Sequence, residues 1–500
     1  MLDTIVAERR WSELAKIIDA KFFALLLSEP RSLRAALDAL PEEWLHAHPR
    51  YLMSREIISV MGPRFRMMDD SVATEFAGWV EASATPASRD VLGVLQARLR
   101  FLLAVGRFSD ANDVADSTLA IIHESDDTAG FADVVPVVLI RVGLTKLLFG
   151  DVTSAIATFA DSVRWSSAAG NHPAGPHARN YLALCLALAG DVHGAARELR
   201  YDESETRSEP GTLAHSYEHA GILANGLIAL ARFDQATTTR VVESLDDDIT
   251  NSELWWIVAH LRARHTLYWG DRPSSISALE GHLVTRRALS GPRSLAGTTI
   301  RSDLADLYQA VGNYPAAAHV LTGPGTDSSD AIMLPARVRL DLLLGHHDAA
   351  LRRLTSHGLV TSGRDYTPPG LLTLKAAAET TVGSTAQMMQ TLKQAAVSVS
   401  QTGAIHAIAE APPEIRVDLA ALAGIDASTL PTIFARSRSV HLTERERDVL
   451  RALKQNSTMK DLATALHVSP NTAKTHLSAV YRKLSVHTRE QALRAGADFD

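Results

Sequence analysis

One cysteine, Cys185, is the entire thiol content of this 500-residue chain. A single thiol excludes an intramolecular disulfide and any cysteine-based zinc finger. It lies in YLALCLALAG, an Ala/Leu stretch of helical character, so a packed core thiol is expected. Long apolar runs are also missing. The longest clean one, Tyr181 to Ala189, is far short of a membrane span. The opening MLDTIVAERRW puts Asp3, Glu8, Arg9 and Arg10 where a signal peptide needs its apolar core. No G-x-x-x-x-G-K-[S/T] loop occurs, so no triphosphate cradle and no cofactor are expected. No nucleophile, base and orienting group stand together, which argues against an enzyme. These absences point to a cytoplasmic, non-catalytic protein, and its length calls for two or more domains.

Positive charge is short overall, with a net charge of −7, yet it is unevenly spread. From Arg436 to Asp500 there are 12 Lys and Arg against 7 Asp and Glu, or +5, which leaves −12 for the preceding 435 residues. An acidic body with a basic end suggests that only the end meets phosphate.

Strand signals are sparse before residue 430, and alanine and leucine recur at helical spacing. One turn form returns along the body: a small residue closes a helix, a few polar or aromatic residues follow, and a small residue sits five positions on. It appears as Gly106-Arg-Phe-Ser-Asp-Ala111, Gly150-Asp-Val-Thr-Ser-Ala155 and Gly190-Asp-Val-His-Gly-Ala195. Ala231-Arg-Phe-Asp-Gln-Ala236, Gly270-Asp-Arg-Pro-Ser-Ser275, Gly312-Asn-Tyr-Pro-Ala-Ala317 and Gly345-His-His-Asp-Ala-Ala350 continue it. Gly383-Ser-Thr-Ala-Gln-Met388 is a degenerate last copy, and successive copies lie 33 to 44 residues apart. A helix-ending glycine can take the left-handed conformation. Alanine five positions on lets paired helices approach closely, and stacked pairs bury what a single pair cannot. The pattern resembles tetratricopeptide repeats stretched to about 40 residues. The expectation is an all-α helical-repeat solenoid over residues 1–425, a linker over 426–441, and a small helical domain over 442–497.

In that last domain the helix starts are chemically marked. Thr443 with Glu446 forms a capping box, Thr458 with Asp461 starts a second helix, and Ser469-Pro470 supplies an N-cap with proline at the first helical position. Asn456 can end the first helix in left-handed geometry. Thr488 with Gln491 opens a fourth. Along 470–484, Ala473, Leu477, Val480 and Leu484 form one apolar stripe. Asn471, Thr475, Ser478 and Arg482 point the other way, with Lys474 and Lys483 on the shoulders. Short hydrogen-bonding side chains flanked by cations suit a major groove.

The segments Leu442-Thr-Glu-Arg-Glu-Arg-Asp-Val-Leu450, Leu462-Ala463, Val468-Ser-Pro-Asn-Thr-Ala-Lys-Thr-His-Leu477, Tyr481-Arg-Lys-Leu484 and Thr488-Arg489 resemble the LuxR-type helix-turn-helix domain. The resemblance implies a regulator that binds double-stranded DNA, with base contacts from Lys474, Thr475 and Ser478. Phosphate contacts fall to Ser469, Asn471, Thr472 and Lys483, and the outward Arg482 joins them. The fourth helix is a dimer face in that family, so a homodimer on DNA is implied. Asn456, Ser485 and Ala473 depart from its usual glycine, glycine and valine. Ala39-Leu-Pro-Glu-Glu-Trp-Leu-His-Ala-His-Pro-Arg-Tyr-Leu52 and Ile405-His-Ala-Ile-Ala-Glu-Ala-Pro-Pro-Glu-Ile415 resemble the entry and exit of the superhelical domain in MalT-like members. Those members carry an upstream nucleotide-binding domain, and ATP dependence is not transferred to this chain.

Other features are weaker. His215-Ser-Tyr-Glu-His219 fits the inverted zinc-peptidase pattern but is short, lies in an ordinary repeat and lacks a third ligand, and His346-His347 reads as a solvated turn. Trp255, Trp256, Tyr268 and Trp269 flank one repeat turn, and core packing is the favoured reading. On the premise that adjacent tryptophans cannot both face inward, Trp255, Trp256 or Trp269 could line a groove for a small-molecule or protein effector. The alternative to a regulator is a repeat scaffold whose terminal domain only localises it to DNA.

Overall fold

The computed structural model describes residues 2–60, 70–125, 132–200, 212–291, 294–323, 331–356, 368–434, 443–455, 458–483 and 489. Among these there is no strand, and the chain separates into two compact units, Met1–Ile433 and Phe434–Asp500. In the first unit, eight helix pairs follow one another from Ser88–Ala104 with Phe108–Glu124 to Pro369–Val382 with Thr385–Thr402. Each pair packs on the next, which is the all-α repeat architecture expected from the turn spacing. The array also curls on itself: Trp11–Ser28 meets Leu213–Ala231, Val135–Phe149 meets Leu295–Ala310, and Val192–Leu199 meets Thr385–Thr402.

The recurring turn has one geometry. Gly106, Gly150, Gly190, Gly312 and Gly345 all have φ between +74° and +105°. At Gly150 the amide bonds back to Leu147 O at 3.0 Å, and the next amide, Asp151, reaches Lys146 O at 2.9 Å. That pair of bonds satisfies the last carbonyls of the helix. In three of these copies the side chain of the following residue then caps the next helix. Asp151 accepts from Ser154 N at 3.0 Å, Asp191 from Gly194 N at 2.8 Å and Asn313 from Ala316 N at 3.3 Å. The alanines five positions on, Ala111, Ala155, Ala195, Ala317 and Ala350, are all fully buried.

Three copies differ from the expectation. In the fourth the left-handed residue is Phe233 (φ 61°), not Ala231, and Asp234 is the N-cap. The buried small position is therefore Thr238, while Ala236 is exposed. Phe233 accepts this backbone because its ring packs on Tyr268 and Trp269 at centroid distances of 5.0 and 4.9 Å. Gly270 and Gly383 are extended, with φ of −122° and −92°. Their small size serves close approach instead: an added Cβ would lie 3.0 Å from Thr266 Cα at Gly270 and 3.0 Å from Glu379 O at Gly383.

The tryptophan premise is also corrected. Trp255 and Trp256 are both buried, at 4% and 1% exposure. Their helix is enclosed by Leu213–Ala231, Gln235–Glu243, Arg272–Thr285 and Leu295–Ala310, so it has little outward face. Trp255 is further covered by the Arg286 guanidinium, 4.7 Å from its ring. Trp269 alone is half-buried. Cys185 is buried, and burial pushes its thiol pKa upward. His215 and His219 pack edge to face at 5.2 Å, and no group of potential metal ligands occurs among the described residues. Among those residues no helix is long and apolar enough to cross a membrane.

A charged cluster joins the repeats. Arg264 donates to Asp306 at 2.8 Å and lies 3.3 Å from Glu410, while Arg339 reaches Asp306 and, at 2.8 Å, Glu410. His260 meets Asp303 at 2.7 Å, and Tyr268 donates to Glu410 at 2.5 Å. Here three carboxylates share two guanidiniums. Burial raises the Asp306 pKa above the usual carboxylate range. Burial also opposes Glu410 ionisation, but Arg264 and Arg339 outweigh it and hold its pKa down to about 2. The cluster fastens the turn His406–Ala409 to three separate repeats. Beyond it, the described part of the expected linker contains a 3-10 turn, Ala427–Thr429, whose Ala427 O accepts from Arg416 at 2.7 Å.

Two outcomes test this packing. Because Glu410 is more acidic folded than unfolded, its stabilisation is present above the ordinary carboxylate range near 4.5 and fades as pH falls toward 2. Glu410→Gln should cost about 3 kcal/mol or more in denaturant unfolding at neutral pH, since it strips a partner from buried guanidiniums. Thr238→Leu should destabilise by roughly 1–3 kcal/mol through overpacking, whereas Ala236→Leu stays within about 0.5 kcal/mol. The opposite ranking in thermal melts would restore the Ala231 register.

Candidate nucleic-acid interface

Three helices of the second unit are described: Glu444–Gln455, Met459–Ala465 and Pro470–Lys483. Their core is Val449, Leu450, Leu453, Leu462, Leu466, Leu477 and Val480, with Val468 and Tyr481 packed at its margin. Ala463 and Ala473 are almost wholly buried. The apolar stripe of the third helix thus faces inward as far as Val480. Leu484, Ser485, Thr488, Gln491 and Asn456 lie outside the described residues, and so does the expected fourth helix beyond Arg489.

Every helix start that is described uses the expected cap. Glu446 accepts from Thr443 N at 2.7 Å while Thr443 Oγ1 accepts from Glu446 N at 3.3 Å, a reciprocal capping box. Thr458 Oγ1 accepts from Asp461 N at 3.2 Å. Ser469 Oγ accepts from Thr472 N at 3.1 Å and also meets Thr472 Oγ1 at 2.7 Å.

The turn between the second and third helices was not legible beforehand. His467 has φ of 52°, a region that costs a residue with a Cβ about 1–2 kcal/mol. His467 N bonds to Thr464 O and Val468 N to Ala463 O, both at 3.1 Å. Ser469 follows at once as the next N-cap, so only Leu466 to Ser469 separate the two helices. Two arginines tie the unit from outside its core. Arg445 donates to Leu466 O at 2.9 Å, and Arg489 to Leu453 O at 2.5 Å. Both answer carbonyls that helix ends leave without an intrahelical donor.

Opposite the core, Ser469, Asn471, Thr472, Lys474, Thr475 and Ser478 are all exposed. They form one continuous polar face on the third helix. Thr475 donates its hydroxyl to Asn471 O at 3.0 Å, which leaves its oxygen lone pairs and methyl group outward. Ser469 and Thr472 are engaged in the cap, so their first role is to hold the helix start. Of Arg482 and Lys483 only the backbone is described. A half-buried helix seated on a second across a four-residue turn, with polar groups and a lysine on its outer side, has the architecture of a helix-turn-helix domain.

Comparison with known proteins narrows the class. Residues 440–495 match the family described as bacterial regulatory proteins, luxR family. The spore germination protein GerE of Bacillus subtilis is 42% identical over 52 residues, which are 10% of this chain and 70% of that protein. The CsgBAC operon transcriptional regulatory protein of Escherichia coli is 37% identical over 57 residues, 11% of this chain and 26% of that protein. A Mycobacterium tuberculosis protein named as an HTH-type transcriptional regulator is 45% identical over 56 residues. That match spans 11% of this chain and only 6% of the mycobacterial protein. The chain belongs to the luxR family of bacterial regulatory proteins, and the likeness to these relatives lies in its C-terminal unit.

His467→Gly relieves left-handed strain of about 1–2 kcal/mol and adds unfolded-state entropy worth about 0.5–1 kcal/mol. The second unit should therefore melt later, by a net gain of about 0.5–1 kcal/mol in denaturant titration. A lower midpoint would mean that the imidazole makes a contact worth more than the strain.

Proposed function

We propose that this chain is a sequence-specific DNA-binding transcription regulator whose helix Pro470–Lys483 enters the major groove. The observation that carries the reading is the division of that helix. Ala473, Leu477 and Val480 are sealed in the core while Lys474, Thr475 and Ser478 stand exposed on the other side. In this reading Lys474, Thr475 and Ser478 meet base edges. Ser469, Asn471, Thr472, Arg482 and Lys483 meet phosphates, with the amide-rich helix start favouring the anion. A homodimer would present two such helices about one DNA turn apart, roughly 34 Å, on an inverted repeat.

The helical-repeat unit is proposed as the controlling element, receiving a small molecule or a protein partner in the manner of MalT-like regulators. Its acidic character supports this division of labour, because phosphate attraction is then confined to the basic C-terminal segment.

Lys474→Ala should weaken specific binding by roughly 1–3 kcal/mol and relax preference at one base position. Selection of bound duplexes from a random pool, then titration at fixed salt, measures both. Unchanged affinity and unchanged preference would overturn the base-reading role.

A further inference from the structure

The N-terminal part of the repeat unit carries a cleft that DNA recognition does not use. Its walls are the helices Asp70–Glu81 and Ser88–Ala104, joined by six residues and therefore antiparallel neighbours. On one side they meet closely. Phe76 and Val80 are buried with Val91, Val94 and Ala97 packed against them, and an added Cβ at Gly93 would lie 3.2 Å from the Phe76 ring. The same two helices also line a cleft of about 530 Å³, with Phe76, Ala77, Val94, Ala97 and Phe101 as its apolar surface. Small-ligand sites span roughly 300–1,000 Å³, so this one has room for a ligand.

Gly78 also lines the cleft, and it lies inside a helix, where glycine is a poor former. Gly93 is explained by its contact with Phe76. Gly78 is not: a Cβ there would meet nothing within 4 Å, and its backbone is not left-handed. Neither close packing nor conformation requires glycine at this position. What its missing side chain provides is open space in the cleft.

Opposite charges mark the two ends. Glu81 is the last residue of the first helix. With Phe76 level with Gly93, the antiparallel register places Arg98 at the other end, near the start of Asp70–Glu81. At 1.5 Å per residue the two backbone positions stand about 15 Å apart along the helix axes. Both side chains line the cleft and are exposed, and neither has a hydrogen-bond or ion-pair partner among the described residues. Arg100 also lines the cleft, but it is engaged within the fold and is not counted.

An apolar trough with a carboxylate at one end and a guanidinium at the other asks for an apolar ligand that carries an ammonium and a carboxylate at its two ends. Length limits the choice. Three or four extended residues span about 10–14 Å, and the Glu81 and Arg98 side chains reach across the remainder. We propose that this cleft binds a short apolar peptide with free termini, three or four residues long. Its amino group lies toward Glu81, its carboxylate toward Arg98, and its side chains lie over Gly78, Ala77 and Ala97. The inference rests on the proposed function for its regulatory meaning, as an effector site of the repeat unit, though binding itself does not depend on DNA.

Calorimetric titration of the full chain with the peptides Leu-Ala-Leu and Leu-Ala-Ala-Leu tests it, each with free termini, N-acetylated, C-amidated and doubly blocked. At least one free peptide should bind saturably. Blocking either end should weaken it about threefold, and blocking both about tenfold, as two partly exposed ion pairs are lost. Glu81→Gln should cancel the effect of acetylation alone, and Arg98→Gln the effect of amidation alone. Gly78→Leu, which puts a side chain into the cleft, should remove binding. If that variant fails to fold by circular dichroism, the comparison of free with blocked peptides on the unaltered chain still decides. No saturable heat with either free peptide up to about 5 mM, equal affinity for free and doubly blocked forms, or undiminished binding by folded Gly78→Leu would each overturn the proposal. Self-association in light scattering that Gly78→Leu abolishes would assign the cleft to a second copy of the chain and overturn it too. Duplex binding by the same preparation without peptide is measured in parallel. Its failure would remove the regulator reading and leave the peptide result standing.

Discussion

The turn that ends one helix and at once starts the next is the constraint on which both units depend. A helix end leaves carbonyls without donors, and the following helix start leaves amides without acceptors. One left-handed residue followed by one capping residue answers both within a few positions. At Gly150-Asp151 the bonds to Leu147 O and Lys146 O close the first helix, and the Asp151 carboxylate opens the second. At His467-Val468-Ser469 the same logic closes Met459–Ala465 and opens Pro470–Lys483. A tight, fixed turn also fixes the angle between paired helices. That is why the position five residues on admits only a small side chain, and why the polar face of Pro470–Lys483 has a defined outward direction.

Tight turns alone would leave a one-dimensional array held only by its neighbours. This array has longer-range ties, and they are charged. Arg264, Arg339, Asp306 and Glu410 bring three repeats and the turn His406–Ala409 to one point. Arg141 with Glu253 is a second tie, between residues more than a hundred positions apart. A buried ion pair is a poor source of net stability but a strict judge of geometry, because a misplaced partner leaves an uncompensated charge. Such ties therefore favour one curvature of the array over its alternatives. For a unit proposed to report ligand binding, a discrete arrangement is more useful than a continuously bending one.

The sequence exposed much of this and hid a definable remainder. The pairs, their spacing and five left-handed glycines were legible, because glycine and alanine are selected by backbone geometry and by size. The caps Thr443, Thr458 and Ser469 were legible for the same reason: local chemistry writes local structure. Phe233 and His467 were not, since each occupies a left-handed position that a bulky residue seldom takes and that surrounding structure alone explains. Trp255 and Trp256 misled because the helical-wheel argument assumes a helix with a solvent side, and this one is enclosed. The cap that Asp133 supplies to the amides of Phe23 and Ala24 was beyond reach, since the partners lie about 110 residues apart in the sequence.

Charge distribution and interface chemistry finally bear on each other. Attraction to phosphate supplies most non-specific affinity for DNA and carries no sequence information. In this chain the basic surplus of the C-terminal segment is attached to a body of opposite sign. Repulsion between that body and a duplex subtracts from the non-specific term and leaves base-edge contacts untouched. Under the proposed reading, a larger share of the discrimination then falls to the exposed face around Lys474, Thr475 and Ser478. Those short side chains are useful only if their helix is held still, which returns the demand to Ser469, His467 and the buried stripe beneath them.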